Sequence, residues 1–124
     1  MQVAEKSYGF ELKATPEEAA KAVRCLLMAL RDLEYQEVFF VGERGRVQEA
    51  DVSEHDVCSS GYFRGHVRGV GSPSSYSILA DLHHTSISPE KYIIIMHGTS
   101  DYIARRKTAA RRLMREEHLI PDVG

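Results

Sequence analysis

Apolar residues recur at the 3.6-residue period of an amphipathic helix between residues 16 and 33. The segment opens with Thr15-Pro16-Glu17-Glu18, in which Thr15 can cap the helix and Glu18 can complete a capping box. Pro16 suits the first helical position, because the N–H that it lacks would have no partner there. We therefore predict a helix over residues 16 to about 33 with one buried face. The expected buried residues are Ala19, Ala22, Val23, Leu26, Leu27, Leu30 and Leu33.

A second helical pattern follows the corner His97-Gly98-Thr99-Ser100-Asp101. Ser100 and Asp101 are both suitable N-caps, and we expect one of them to begin the helix. Apolar residues lie on one arc of this helix, and basic residues fill the opposite arc. The apolar arc contains Tyr102, Ile103, Ala109, Ala110, Leu113 and Met114.

Outside the two helices the pattern changes to that of strands. Tyr8, Phe10 and Leu12 alternate with polar residues, which predicts a half-buried strand, and the apolar run at 92–96 predicts a buried one. Four further strands are expected at 38–41, 46–52, 62–70 and 76–83, with polar connections at 53–61 and 71–75. Gly65 and Gly69 indicate a bulge or a sheet edge in the strand at 62–70.

The predicted order of elements is β-α-β-β-β-β-β-α. The connections between successive strands are too short for parallel crossovers, which need a dozen or more residues. We therefore predict one α+β domain over residues 1–124, with a mostly antiparallel sheet of about five to six strands and two helices packed on one face.

Charge is distributed unevenly along the chain. The 124 residues carry a net charge of −2 with 43% apolar residues, as in an ordinary globular protein. Residues 1–98 contain 10 Lys or Arg against 14 Asp or Glu, whereas residues 99–124 contain 6 against 4. These totals argue against a protein that coats nucleic acid with its whole surface, but they leave room for a local basic face.

The basic arc of the second helix is the predicted binding surface. Arginine binds phosphate groups bidentately without needing base contacts. We therefore predict a small non-enzymatic regulatory module that engages a nucleic acid or nucleoprotein partner. A protein interaction is the alternative, either with an acidic partner or as a homo-oligomer through an edge strand at 62–70; an ordinary solvated face is the simplest interpretation. The predicted binding residues are Arg105, Lys107, Arg111, Arg112 and Arg115.

Arg106 interrupts this division of the helix, because it lies within the apolar arc. A buried guanidinium needs a partner, which could be a sheet carboxylate such as Asp81 or a residue of another chain. The simpler expectation is that Arg106 reaches solvent from the edge of the arc.

Two short histidine motifs raise an enzymatic alternative. His83-His84-Thr85-Ser86 and His97-Gly98-Thr99-Ser100 both read H-x-T-S, which resembles the paired motifs of the 2H phosphoesterases. The resemblance implies a phosphodiesterase that uses His83 or His84 together with His97 and Thr99. In that family the motifs lie in two symmetric halves of a longer chain, whereas here a single hairpin would separate them by on the order of 10 Å. Since that distance is too large for one shared phosphate, this is the least favoured hypothesis.

No metal, cofactor or membrane partner is expected. His55 and Cys58 form an H-x-x-C pair without the second pair that a zinc site needs, and Cys25 and Cys58 are too few for a disulfide framework. The first six residues are polar, and the longest apolar run is too short to span a bilayer. A cytoplasmic location is the resulting expectation.

Overall fold

A computed structural model describes residues 1–33, 37–58, 61–70 and 76–121 of the chain. These residues form one antiparallel sheet of seven strands and three helices, which confirms the predicted α+β class. The strands are β1 (Gln2–Lys6), β2 (Gly9–Lys13), β3 (Glu37–Gly42), β4 (Gly45–Gln48), β5 (Tyr62–Val70), β6 (Tyr76–Thr85) and β7 (Lys91–Met96). The helices are α1 (Pro16–Leu33), α2 (Glu54–Val57) and α3 (Ser100–Glu116), with a 3-10 turn at Glu49–Asp51. None of the described helices is long and apolar enough to cross a membrane.

Helix α1 begins with the predicted capping box. The Thr15 N–H donates to Glu18 Oε1 at 2.9 Å, and the Glu18 N–H donates to Thr15 Oγ1 at 3.2 Å. The side chains of Ala19, Leu27 and other members of the predicted apolar face are buried. Local sequence therefore determines where this helix starts and which face enters the core.

Helix α3 begins one residue earlier than the sequence predicted. Its N-cap is Thr99, whose Oγ1 accepts a hydrogen bond from the Tyr102 N–H, so the prediction of Ser100 or Asp101 was wrong. Gly98 has a φ of 133°, a value that favours glycine, and it turns the chain out of β7. Because this turn is completed at Gly98, the next residue with a hydroxyl takes the capping position.

The order of strands across the sheet is β1-β2-β7-β6-β5-β3-β4, and every neighbouring pair is antiparallel. Strand β1 was not predicted, so the observed sheet has more strands than the expected five to six. Helix α2 and the 3-10 turn also replace parts of segments that were predicted as a loop and a strand. The connection predicted at 71–75 lies outside the described residues.

Strand β5 is an internal strand, because it pairs with β3 on one side and β6 on the other. The predicted interaction through an exposed edge at 62–70 is therefore wrong: both edges of β5 already make ladder hydrogen bonds. A bulge is present at β5, but its extra residue is Leu79 of β6 and not a residue of β5, because Val67 is opposite Ala80 and Arg68 is opposite Ile78.

The sheet has two different faces. Helices α1 and α3 pack against each other and against one face, as predicted, and α2 contacts α1 on the same side. The strand residues on that side form the core together with the helices, and they include Phe10, Leu12, Phe40, Phe63, Leu82, Tyr92 and Ile94. None of the described helices covers the opposite side, which is called the uncovered face below.

Candidate functional site

The predicted basic arc of α3 is divided between two environments. The Lys107 ammonium donates to the carbonyl oxygen of Lys6 at 2.8 Å, and the Arg111 guanidinium pairs with the carboxylate of Glu5. Arg115 lines the same cavity beside β1 as Arg111, with a volume near 540 Å³. These three cations therefore face strand β1 rather than open solvent.

Only Arg105 and Arg112 of the predicted binding residues are exposed. The Arg112 guanidinium lies 4.0 Å from the Glu116 carboxylate, one helical turn further on. The Arg105 guanidinium lies over the ring of Tyr102, 5.0 Å from its centroid. The outward part of the arc is thus narrower and less positive than a helical wheel indicates.

Arg106 is buried, with 4% of its surface exposed, so the expectation that it reaches solvent was wrong. One of its terminal nitrogens donates to the carbonyl oxygen of His97 at 2.8 Å. The absence of a side chain at Gly98 leaves room for this guanidinium, since a Cβ there would lie 3.4 Å from it. Asp81, the partner that the sequence indicated, binds other side chains. Arg106 therefore connects α3 to the corner that carries His97.

The histidines of the two H-x-T-S motifs do not meet. The His84 Nε2 donates to the carbonyl oxygen of Pro89 at 2.9 Å, and its ring stacks on Tyr92 on the helix side of the sheet. His83 lies on the uncovered face, where it bonds the Tyr62 hydroxyl, while Thr99 caps α3. His83 is opposite Ile93 in the ladder of β6 and β7, and His97 comes four residues after Ile93 in the chain. The two histidines are therefore separated by about four residues along the strand direction.

The structure instead brings three polar side chains together around Asp81, and we call these four residues the Asp81 cluster. Nδ1 of His66 lies 2.6 Å from Asp81 Oδ1, and Nε2 of His97 lies 3.0 Å from Oδ2. Arg64 also donates to Oδ2, at 3.2 Å. Each carboxylate oxygen thus binds one imidazole.

Strand register explains the Asp81 cluster. His66 on β5 is directly opposite Asp81 on β6, and Asp81 is directly opposite Ile95 on β7. His97 comes two residues after Ile95, so its side chain returns to the same face of the sheet. Arg64 is likewise two residues from His66. All four members of the cluster therefore project from the uncovered face.

The buried carboxylate of Asp81 is ionised at neutral pH. Burial by itself raises the pKa of Asp81, but the hydrogen bonds from His66, His97 and Arg64 outweigh burial and hold that pKa below its usual range. An ionised carboxylate only accepts hydrogen bonds, so the bonded ring nitrogens carry the protons. In the described part of the chain, Nε2 of His66 and Nδ1 of His97 make no hydrogen bond.

A cavity of about 410 Å³ lies beside the ladder of β6 and β7, and it is lined by sheet neighbours of the Asp81 cluster and by none of the four cluster residues. Ile93 and Ile95 form an apolar part of its wall, and Tyr62 with His83 forms another. The Tyr62 hydroxyl lies 2.5 Å from His83 Nδ1, and 65% of the Tyr62 surface is exposed. Since Ile95 is opposite Asp81 in the ladder, a molecule in this cavity would lie beside the cluster.

The uncovered face is basic, although the chain as a whole is acidic. The strand registers place six Lys or Arg residues on this face against three Asp or Glu residues, in addition to three histidines. The cations are Lys6, Lys13, Arg46, Arg64, Arg68 and Lys91, and the anions are Glu11, Glu37 and Asp81. Positive charge is therefore spread across the whole width of the sheet.

The chain matches no protein-family model, no curated protein and no solved structure.

Sequence reasoning did not find His66, Arg64 or the exposed Tyr62. A signal was present, since polar and aromatic residues alternate with Phe63, Gly65 and Val67 along β5. That alternation identifies an uncovered face, but it does not show which strand lies next to β5. No group of three His, Cys, Asp or Glu side chains in the described ranges could hold a metal ion, the Asp81 cluster included.

Proposed function

We propose that the protein binds single-stranded nucleic acid on the uncovered face of its sheet. The observation that supports this proposal is the charge of that face, which carries six cationic and three anionic side chains in a chain of net charge −2. Phosphate groups supply most of the affinity in such complexes through contacts with Lys and Arg.

The aromatic and imidazole rings on the same face favour a single strand over a duplex. Unpaired bases stack on exposed aromatic side chains, and this stacking tolerates any base. Among the side chains that the structure describes on this face, Tyr62 is the most exposed aromatic one, and it lines the cavity together with Ile93 and Ile95. A broad sheet with cations at both sides of such a cavity suits an extended strand.

The outer surface of α3 is the less favoured location for the same activity. The Lys107 ammonium donates to a backbone carbonyl of β1, the Arg111 guanidinium pairs with Glu5 of β1, and Arg112 lies near Glu116. An acidic protein partner would instead bind the outer surface of α3, through Arg105 and Arg112. The test must therefore compare this surface of α3 with the uncovered face of the sheet.

Neutralising two cations of the uncovered face is expected to weaken binding about 10-fold at low salt. The variant combines Arg64→Gln with Lys91→Gln, two half-exposed side chains whose stems are kept. Fluorescence anisotropy with a labelled oligonucleotide of about 12 nucleotides measures the affinity. The slope of log K against log salt should fall in magnitude by about 1.4, because each phosphate contact with a single strand contributes about 0.7.

The matched control combines Arg105→Gln with Arg112→Gln on the outer surface of α3. This variant loses two positive charges, as the first variant does. We expect its affinity for the oligonucleotide to differ from that of the wild type by less than about 3-fold, which is the effect of the change in net charge alone. A larger loss in this variant than in the first would place the binding surface on α3. Absence of salt-dependent binding to any oligonucleotide would refute the proposal.

Tyr62→Ala is expected to weaken binding by about 1–3 kcal/mol, the usual effect of removing one base-stacking ring. Tyr62→Phe should retain most of the affinity, because the ring remains and only the hydrogen bond to His83 is lost. The salt dependence of binding should be unchanged in both variants, since neither removes a charge. Equal losses in Tyr62→Phe and Tyr62→Ala would show that the hydroxyl, and not stacking, matters.

A further inference from the structure

We infer that the Asp81 cluster cleaves RNA, with His66 and His97 as the general base and general acid of a transesterification. This inference rests on the proposed function, since it requires a single strand on the uncovered face. It assigns a chemical activity to side chains that binding alone does not require.

The first support is the way in which one carboxylate positions two imidazoles. Asp81 Oδ1 holds His66 through Nδ1 at 2.6 Å, and Oδ2 holds His97 through Nε2 at 3.0 Å. Each ring is fixed in one tautomer and keeps its second nitrogen for a substrate. A carboxylate bonded to the far nitrogen also stabilises the imidazolium that forms during proton transfer.

The second support is the accessibility of these groups. Asp81 is 5% exposed, whereas 45% of the His97 side chain and 23% of the His66 side chain are open to solvent. The positioning carboxylate is therefore sequestered, and the two reactive rings are presented outward. Structural histidines of this chain look different: His84 is buried on the helix side of the sheet, with its Nε2 bonded to a backbone carbonyl.

The third support is the cation beside the two rings. The Arg64 guanidinium donates one hydrogen bond to Asp81 at 3.2 Å, and 53% of its side chain is exposed. Its remaining N–H groups can bind the non-bridging oxygens of a phosphate next to the histidines. Negative charge that develops on those oxygens in the transition state would be stabilised there.

Two imidazoles suit RNA because the substrate brings its own nucleophile. One neutral imidazole accepts the proton of the ribose 2′-hydroxyl, and the 2′-oxygen forms a bond to the adjacent phosphorus. The bond between phosphorus and the 5′-oxygen of the next nucleotide breaks. The other imidazole, protonated beforehand, gives its proton to that 5′-oxygen. The products are a 2′,3′-cyclic phosphate and a 5′-hydroxyl, with no other reactant consumed.

The cavity beside the ladder of β6 and β7 provides a place for the base of the cleaved nucleotide. Its wall combines Tyr62 and His83 with Ile93 and Ile95, and Ile95 is opposite Asp81 in the ladder. A base in this cavity would bring its ribose and phosphate to the histidines. The sheet thus offers a base site and a cleavage site side by side.

The test is cleavage of an end-labelled RNA oligonucleotide in the presence of a metal chelator, with all proteins purified in parallel. His66→Ala and His97→Ala should each lower kcat by about 100-fold or more, the usual contribution of one general acid or base. His55→Ala is the matched control, because His55 lies on α2 with a side chain that is 75% exposed. It should leave the rate unchanged. The cyclic phosphate should be found at the new 3′ end.

Asp81→Asn tests the positioning role. We expect it to lower kcat with little change in KM and to alter the bell-shaped dependence of rate on pH, because an amide does not stabilise an imidazolium as a carboxylate does. A thermal melt of each variant establishes that it remains folded.

Binding of the same sequence with 2′-deoxyribose, which cannot be cleaved, separates the two proposals. If this oligonucleotide binds but the wild-type protein leaves RNA intact, cleavage is wrong and the proposed binding stands. If neither RNA nor its analogue binds, both are wrong. Cleavage that persists in both histidine variants also overturns the inference.

Discussion

Gly9→Ala is expected to destabilise the protein by about 3 kcal/mol or more. A Cβ added at Gly9 would lie 2.2 Å from the carbonyl oxygen of Ile94, a backbone atom of the neighbouring strand that cannot move aside alone. The φ of Gly9 is 151°, which a residue with a side chain rarely adopts. For a domain of this size the loss corresponds to a fall in melting temperature of about 10 °C.

The control for this prediction is Gly45→Ala. Gly45 also has a positive φ, of 84°, but an added Cβ would meet no atom within 4 Å. Its expected cost is therefore only the backbone strain, about 1 kcal/mol. Urea unfolding measures both variants. Equal losses at the two positions would show that the close approach of β2 to β7 is unimportant.

The effect of Gly9→Ala should extend to the Asp81 cluster. Gly9 is opposite Ile95, and the Met96 N–H donates to the carbonyl oxygen of Tyr8 at 2.7 Å. His97 is the next residue. Any displacement of β7 away from β2 therefore moves the histidine of the cluster, and the proposed nucleic-acid binding and cleavage should both fall along with stability.

Asp56→Asn is expected to destabilise the protein by about 2–3 kcal/mol at neutral pH. Asp56 is fully buried, and its carboxylate accepts two hydrogen bonds from Arg44, at 2.7 and 2.8 Å, and one from the Ser53 N–H at 2.7 Å. An amide has one acceptor oxygen and no charge, so it cannot replace the bidentate pair with Arg44.

This loss should depend on pH in a defined direction. Burial alone raises the pKa of Asp56, but the hydrogen bonds from Arg44 and Ser53 outweigh burial and lower the pKa below its unfolded value. A lowered pKa means that the stabilisation is complete above the unfolded value of about 3.9 and disappears as pH falls through the folded value. Wild type and Asp56→Asn should therefore converge in stability at acid pH.

Urea unfolding at pH 7 and at pH 3 measures this convergence. Glu54→Gln is the matched control, because Glu54 lies on the same short helix with a side chain that is 43% exposed. We expect its stability to differ little from wild type at either pH. A constant difference between wild type and Asp56→Asn across this range would mean that the carboxylate charge contributes nothing.

Local patterns predicted the elements whose structure is decided locally. The capping box of α1 depends on residues within one turn, and it is found where the sequence placed it. Of the predicted apolar arc of α3, Ala110, Leu113 and Met114 are buried, whereas Tyr102 is exposed. The cap at Thr99 was missed because three adjacent residues have suitable side chains, and the backbone turn at Gly98 selects among them.

The Asp81 cluster depends on information that a single sequence does not carry. Its distances are set by which strands are neighbours and by their register, and the bulge at Leu79 decides which residues of β6 oppose those of β5. A shift of one residue would turn His66 to the core. The sequence indicated Asp81 as an ion partner, but it offered Arg106 in place of Arg64 and the histidines.

The surroundings of the basic arc could not be predicted for a related reason. A helical wheel shows which residues share an arc, but it does not show what lies against that arc. Strand β1 has two apolar side chains, Val3 and Ala4, which are adjacent and so fall on opposite faces, and the alternation that identifies strands is therefore weak there. Because β1 was not predicted, the contacts of Lys107 and Arg111 with residues of β1 could not be predicted either.

The attachment of β1 to α3 has a consequence for the order of folding. The contacts of Lys107 with Lys6 and of Arg111 with Glu5 join residues 101 and 106 positions apart in sequence. Closing so long a loop is slow relative to forming the local hairpin of β1 and β2. During synthesis the hairpin emerges first, but its helix-facing side stays exposed until α3 is made. Amide protons of β1 should therefore gain protection late, together with those of α3.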